Sequence, residues 1–561
     1  MERGELRPRT DRPSGRNALI IGGGIFLSKI SGLIRELILA GFLGTRVAAD
    51  AFKAALQIPG LLQNILGEGT LSASFVPTYS RLVDNHETEK ESGIVAGTVA
   101  TFLGLITSII VLVGILAARP ITKVLLPLLP DETFDLTVDL VRVMWAGLGF
   151  IVLSSWCLGV LNAHRKFFLS FAAPILWNAA QIIFALIAWG KDWSEASIAT
   201  AAAWGVLVGG ALQFLIQIPL VLKVAPSLKL GLQRGLTAVK EIISKFFPAV
   251  LGRGVVQFSG FLDLFLAGFL ATGAFTALSL AQIIYMLPIG LFVMSIISAD
   301  LPEFSRDQGN PGAIRERFLA SSERIAFYLM FSTFAFIAMG EPLIDFLFER
   351  GKFTSEDTLY IWLVLAAYSL GLYATGMSRL YQNLSYSYGD VKGPARLASF
   401  RVLIAGLIGF LLMFQFDRVA IDNDRFVQVG DIPSFSPLSE IARSLDTAPQ
   451  PLGALGLALG SSIAAWVEYF LLRKKVERAQ GLESTQRSNR KFFLLPAIIS
   501  ALAGGSISFL MSDMNAYFVA PSALIISGAI YLYGSLAMGS GATKEFLKVI
   551  RLGNLVGPEK H

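Results

Sequence analysis

Charged residues are scarce inside the long apolar blocks of this sequence, and those present are clustered. Lys29, Arg35 and Glu36 interrupt the first block, and Asp50, Lys53 and Glu68 fall in the second. An ionisable side chain at mid-membrane depth costs roughly 3 kcal/mol on insertion scales, so it normally faces a cavity or a partner. Lys29 and Glu36 stand seven residues apart and share a helix face. Asp50, Gln57, Asn64 and Glu68 would form one polar stripe along an unbroken helix. Pro59-Gly60, Gly67 and Gly69 bend that stripe, which makes Pro59 and Gly60 a candidate hinge. A sparser set follows later: Arg253, Gln257 and Asp263, then Gln282, with a second hinge at Pro288.

Lys29 and Arg35 suit an anion-binding cavity for a diphosphate or carboxylates, because guanidinium and ammonium groups make charge-assisted hydrogen bonds to such oxygens. The bland alternative is charge pairs that lock helices together, for example Asp50 with Lys53. Glu68 and Asp263 are candidates to carry protons or bind a coupling cation; Glu36, Asp50, Gln57, Gln257 and Gln282 complete the polar cavity set. Arg142, Arg379 and Glu468 lie where end-of-span side chains can snorkel to the interface.

Nothing in the sequence points to catalysis. No Gly-Lys-Ser/Thr phosphate loop is present, and Gly22-Gly23-Gly24 opens a membrane helix with no strand before it. His86, His164 and His561 are scattered, so no histidine metal site is expected, and the one cysteine, Cys157, cannot form an intramolecular disulfide. No cofactor is expected beyond a coupling cation or the membrane potential.

The elements that must position these residues are membrane helices. Of the 561 residues 54% are apolar and 16% charged, with a mean hydropathy of +0.61. The apolar residues fall in blocks long enough to cross a bilayer. The net charge of +6 resides in short loops and forms no stripe for nucleic acid. Spans are read near 17–43, 47–80, 93–117, 134–161, 170–190, 196–222, 240–271, 273–300, 318–347, 357–386, 395–416, 451–472, 492–512 and 515–539. This is an all-α polytopic membrane protein of about fourteen transmembrane helices. The stretch from Arg119 to Pro130 reads as interfacial. A basic tail (1–16), the loop Lys223–Lys245 and the run Arg473–Lys491 place both termini in the cytoplasm by the positive-inside rule. The first block is too long and too charged for a signal peptide.

A repeat is visible by eye. Ser31-Gly32-Leu33-Ile34-Arg35-Glu36-Leu37 through Leu43 recurs as Ser259-Gly260-Phe261-Leu262-Asp263-Leu264 through Leu270. Val76-Pro77-Thr78-Tyr79-Ser80-Arg81 likewise recurs as Leu301-Pro302-Glu303-Phe304-Ser305-Arg306. Both copies run the same way, which implies two parallel six-helix lobes (17–224 and 240–472), then a basic loop (473–491), two C-terminal helices (492–539) and a cytoplasmic tail (540–561). Such repeats are a signature of alternating access, with substrate held between the lobes near the midplane. An acidic insert, 417–450, interrupts the second lobe on the outer side. It reads as a solvated loop with one short helix, in which Leu438, Ile441, Ala442 and Leu445 have helical spacing behind Ser436-Pro437. A docking role for an extracytoplasmic partner is the alternative.

These residues resemble the MurJ/MviN family of lipid II flippases, within the superfamily of multidrug and polysaccharide exporters. The resemblance rests on Ser28-Lys29-Ile30-Ser31-Gly32-Leu33-Ile34-Arg35-Glu36, Asp50-Ala51-Phe52, Ile58-Pro59, and Glu68-Gly69 leading to Phe75-Val76-Pro77. Leu287-Pro288 to Ser305, Arg350-Gly351-Lys352-Phe353-Thr354, and Tyr386 with Gly389-Asp390 and Pro394 extend it over most of the chain outside the insert. It implies fourteen spans, two lobes, a cationic central cavity and a groove beside the last two spans for a polyprenyl tail. Departures are specific. Lys29 stands where the family usually has arginine, Gln63 and Asn64 replace an arginine pair, and Ile283 follows Gln282 where an arginine follows an acidic residue. Lys53 and Arg253 are cations at positions expected to be apolar, and they join Lys29 and Arg35 as candidate diphosphate-binding residues.

The leading expectation is a flippase for undecaprenyl-diphosphate-linked peptidoglycan precursor in the bacterial inner membrane, among membrane lipids and cell-wall synthesis proteins. Alternatives are a flippase for another polyprenyl-linked glycan (capsule or O-antigen type), an ion-coupled exporter of amphipathic compounds, and a scaffold for cell-wall enzymes.

Overall fold

The computed structural model describes residues 15–85, 88–233, 236–423, 425–444, 449–480 and 491–549. Most of the basic tail, His86, Leu445, most of the basic loop before Lys491, and the end of the C-terminal tail with His561 lie outside them. The described residues form two compact units, with the chain crossing between them more than once. The first comprises residues up to Leu43, Ala51–Pro127 and Asp131–Leu264; the second comprises Gly44–Asp50, Leu128–Pro130 and everything from Phe265.

In the first unit, apolar blocks become helices α1 (Gly15–Leu43), α2 (Val47–Leu66, whose first turn to Asp50 belongs to the second unit), α3 (Glu68–Ser74), α4 (Val76–Asp84), α5 (Glu89–Leu116) and α6 (Ala118–Leu125). α7 (Asp131–Ala163), α8 (Phe167–Ala172), α9 (Pro174–Trp189), α10 (Glu195–Leu215), α11 (Ile218–Val224) and α12 (Thr237–Ala267) follow. Proline at the first turn starts α9. The Ser194 hydroxyl, accepting from the Ser197 N–H at 3.3 Å, caps α10. The expected interfacial stretch is α6, only 8 residues long. α2 runs through Pro59-Gly60 and ends at Leu66, with the break at Gly67, one of the glycines expected to bend the stripe. Phe75, Tyr79, Trp156, Ile242 and Phe246 share one buried core. Because Ile242 and Phe246 belong to it, α12 as far as Leu264 goes with the first unit, whereas the sequence drew the boundary at 240.

The second unit holds α13 (Ala274–Pro288), a five-residue π turn (Ile289–Val293) and α14 (Met294–Arg306), then α15 (Pro311–Phe348), α16 (Ser355–Ser369), α17 (Leu372–Ser387) and α18 (Lys392–Phe416). The wide turn directly after Pro288 is where a proline-freed backbone is accommodated. The insert holds α19 (Glu440–Ser444), and after it come α20 (Gly453–Gln480), α21 (Lys491–Leu510), α22 (Ala516–Ala537) and α23 (Gly541–Val549). The sequence repeat falls on matching elements: α1 meets α2 through Gly44 (φ 61°), and α12 meets α13 through Gly273 (φ 97°).

The insert differs from the expected loop. β1 (Val419–Asp422) pairs antiparallel with β2 (Arg425–Gln428) and with β3 (Gln450–Pro451), giving the order β2-β1-β3, and α19 precedes β3. The Ser439 hydroxyl, not Ser436-Pro437, meets the start of α19 by accepting from the Ala442 N–H at 3.3 Å. Leu438 is buried but Ile441 is 76% exposed, so the residue that anchors this helix is the buried Arg443. Its guanidinium donates to the carbonyls of Leu438 and Leu128.

Among the described residues, ten helical stretches are long and apolar enough to cross a membrane, and α16 with α17, bent by 40°, makes an eleventh if the pair is one span. The other three expected spans are the charge-bearing helices α1, α2 and α12, of 29, 20 and 31 residues.

Candidate functional site

α1, α2 and α9 bring four charged and polar side chains of the first unit together. The carboxylate of Glu36 accepts from both Arg35 and Lys53. Arg35 also donates to the Asn178 side-chain oxygen at 3.1 Å. Its guanidinium lies 4.9 Å from the ring centroid of Trp177, a cation–π contact. Asn178 in turn donates to the Ser31 hydroxyl at 2.8 Å and the Ser28 carbonyl at 3.4 Å, which fixes α9 against α1. Arg35 and Glu36 are both buried, at 9% and 5% exposure, so their pairing offsets a desolvation cost that neither could bear alone. Two cations against one carboxylate leave the network one positive charge.

The expected pair of Asp50 with Lys53 does not form, because Lys53 turns to Glu36. Lys29 is exposed on α1 and takes no part in the network. Trp177 and Asn178 escaped the sequence reading; the one available signal was an asparagine inside an otherwise apolar block.

Beside this network lies a cavity of about 710 Å³, lined by Gln63, Asn64 and Glu68 from the α2–α3 region, Trp177, and Arg253 with Gln257 from α12. Ser154, Ser155 and Gln213 add further polar groups. The Asn64 side-chain amide reaches the Gln257 oxygen at 3.5 Å. Arg253 lies on the backbone at the start of α3, where a Cβ on Gly69 would overlap its guanidinium. One cation and one carboxylate line this cavity, and its other polar groups are neutral amides and hydroxyls. Trp177 is a wall of the cavity and the platform for Arg35, so the two features share a residue.

Asp50 was expected in a cavity and is instead 1% exposed within the second unit. It accepts from the Gly273 N–H at 2.7 Å, the Thr276 N–H at 2.9 Å and the Thr276 hydroxyl at 2.7 Å. These bonds satisfy the open end of α13. A second anchor holds the same segment. Asp357 accepts from the Thr45 hydroxyl and, at 2.7 Å, from the Gln450 amide. It also completes a capping box with Thr354 at the start of α16. Gly44 packs so tightly that a Cβ would stand 2.8 Å from the Lys352 carbonyl. Gln57, Asp263 and Gln282 are exposed on α2, α12 and α13, and none of them lines the 710 Å³ cavity.

The second unit also carries an apolar groove of about 720 Å³, lined by Phe334, Ile337, Trp362, Ile498, Leu502 and Phe509. It runs beside α21 with α15 and α16 as its other walls, whereas the resemblance implied both of the last two spans. Among the described residues no group of three His, Cys, Asp or Glu side chains is placed to hold a metal.

A polytopic helical protein with a buried charge network beside a polar cavity in one unit, and an apolar groove in the other, belongs to the class of membrane transporters. Residues 39–422 match the family described as Lipid II flippase MurJ, and the chain belongs to that family. A probable lipid II flippase MurJ of Bdellovibrio bacteriovorus is 30% identical over 409 residues, covering 71% of this chain and 77% of the relative. The lipid II flippase MurJ of Burkholderia cenocepacia is 28% identical over 406 residues, covering 71% and 78%. A solved lipid II flippase MurJ in an inward closed conformation superposes with a TM-score of 0.72 at 22% identity, covering 95% of this chain and 99% of that one. An inward-facing multidrug-resistance MATE family transporter shares the fold at a TM-score of 0.62 and 16% identity, covering 83% and 100%.

Proposed function

We propose that this chain is a lipid II flippase, carrying the polyprenyl-diphosphate-linked peptidoglycan precursor from the inner to the outer leaflet of the bacterial inner membrane. The carrying observation is the Arg35–Glu36–Lys53 network set against a polar cavity in a member of this family. A diphosphate entering beside the network competes with Glu36 for Lys53 and Arg35, since both anions use charge-assisted hydrogen bonds. The apolar groove beside α21 suits the polyprenyl tail. The segment Gly44–Asp50 is tied to α13 and α16, so any cycle that moves α1 and α2 away from them must break the Asp50 and Asp357 hydrogen bonds. Both termini lie in the cytoplasm and the insert lies outside, as the distribution of Lys and Arg favours. An ion gradient or the membrane potential drives the cycle.

The second reading keeps the mechanism and changes the cargo to another polyprenyl-linked glycan. Gln63, Asn64 and Ile283, each at a position where the family has arginine, favour it. Complementation separates the two: in a host depleted of its own lipid II flippase, expression of this chain restores viability and cell shape. An inserted, abundant protein that fails to rescue while transporting a capsule-type lipid overturns the first reading in favour of the second.

A further inference from the structure

The lining of the 710 Å³ cavity is chemically unlike a diphosphate site. Apart from one cation, Arg253, and one carboxylate, Glu68, its polar groups are neutral amides and hydroxyls on Gln63, Asn64 and Gln257 and on nearby serines. Side-chain amides donate and accept at once, as sugar hydroxyl and acetamido groups do, and a ring of them distinguishes a partner that pairs with every group from one that leaves them empty. Trp177, whose ring also carries the Arg35 guanidinium, lines the cavity and adds aromatic surface against which a pyranose can pack. The volume is in the range of small-molecule sites. Among the described residues no ion pair joins Arg253 to Glu68, so the guanidinium is available at the cavity wall for an anionic group at one end of an otherwise neutral ligand.

We propose that this cavity is a glycan subsite: Asn64, Gln257 and Gln63 read the hydroxyl and amide groups of a pyranose sugar against Trp177, and the diphosphate is left to the Arg35–Lys53 side. The inference rests on the flippase reading and assigns the part of the cargo that this cavity selects.

The test compares two lipids on the full-length protein in nanodiscs, undecaprenyl diphosphate and the same lipid bearing an N-acetylated disaccharide without peptide. Wild type binds the glycosylated lipid at least about tenfold more tightly, the effect of a few neutral hydrogen bonds. Asn64→Leu combined with Gln257→Leu brings that ratio close to one and leaves the affinity for the bare lipid unchanged. Asn64→Ala alone gives an intermediate ratio. A ratio unchanged by the double variant, an equal loss of both affinities, or a preference that appears only when peptide is attached overturns the subsite. Complementation by wild type tests the flippase reading independently. Rescue with no sugar preference defeats the subsite alone, whereas failure to rescue and to bind either lipid defeats both.

Discussion

Asp50 and Thr276 stand 226 residues apart and are joined twice, through the Thr276 N–H at 2.9 Å and its hydroxyl at 2.7 Å. A carboxylate from the first turn of α2 thereby finishes the start of α13. Asp50→Ala removes a cap and leaves buried donors unpaired, so it destabilises the protein by about 1–3 kcal/mol. Asp50→Asn, which keeps one acceptor oxygen, costs less. Thermal unfolding in detergent orders the three proteins, with the alanine variant lowest; equal midpoints would remove the cap from the account.

Glu36 is the shared partner of the buried Arg35 and the half-buried Lys53, and its removal is worse than removal of either cation. Glu36→Ala strands Arg35 and Lys53 and costs roughly 3–5 kcal/mol, while Glu36→Ala with Lys53→Met costs less than the sum of the single changes. A double-mutant cycle on unfolding free energy reads the coupling directly. Additive effects would mean that the Lys53 contact contributes nothing.

Gly69→Ala acts on the cavity without disturbing the core. The added methyl displaces the Arg253 guanidinium, which sits at the end of a flexible side chain, so the protein folds while transport falls. Gly44→Ala behaves differently. Its φ of 61° and the backbone carbonyl of Lys352, 2.8 Å from an added Cβ, leave no room. Strain of roughly 1 kcal/mol or more appears as lower thermal stability.

Asp417 lies one residue beyond α18, and burial pushes its carboxyl up to about 7, an effect only partly offset by Arg418 and Arg443. The folded state therefore holds a proton that the unfolded state, titrating near 3.8, has released. Stability contributed by this group is full below about pH 4 and is lost as pH rises towards 7. Asp417→Asn flattens that dependence. Unfolding midpoints measured from pH 5 to pH 8 check the sign: wild type declines across this window and the variant declines less.

A bulky residue in the apolar groove is expected to obstruct the tail. Gly505→Trp fills a position on its wall, and transport drops while folding and insertion persist. Unimpaired transport by a correctly inserted variant would move the tail elsewhere.

Much of the architecture was legible because membrane spans are long and apolar, and the repeat survived as recognisable residues around Ser31 and Ser259. Partnerships across helices were not. On an unbroken helix Asp50 would share a stripe with Asn64 and Glu68, and nothing local reveals that its partners are Gly273 and Thr276. Lys53 could have been paired with either Asp50 or Glu36, since the choice depends on which faces of α1 and α2 meet. Trp177 and Asn178 lie in a block whose spacing announces only a span. The β-hairpin of the insert was readable: Val419-Ala420-Ile421 and Phe426-Val427 flank Asn423, which adopts φ 48°. Hairpin turns favour that left-handed conformation. The acidic character of the segment drew attention to a loop instead.

Lipid II exposed at the outer leaflet, measured after depletion of the host flippase, tests the central claim most directly. Cells expressing this chain should restore it, and Arg35→Ala or Arg253→Ala should abolish the restoration at unchanged protein levels. Restoration undiminished in both variants would contradict the assigned site, and none from abundant, inserted wild-type protein would contradict the flippase itself.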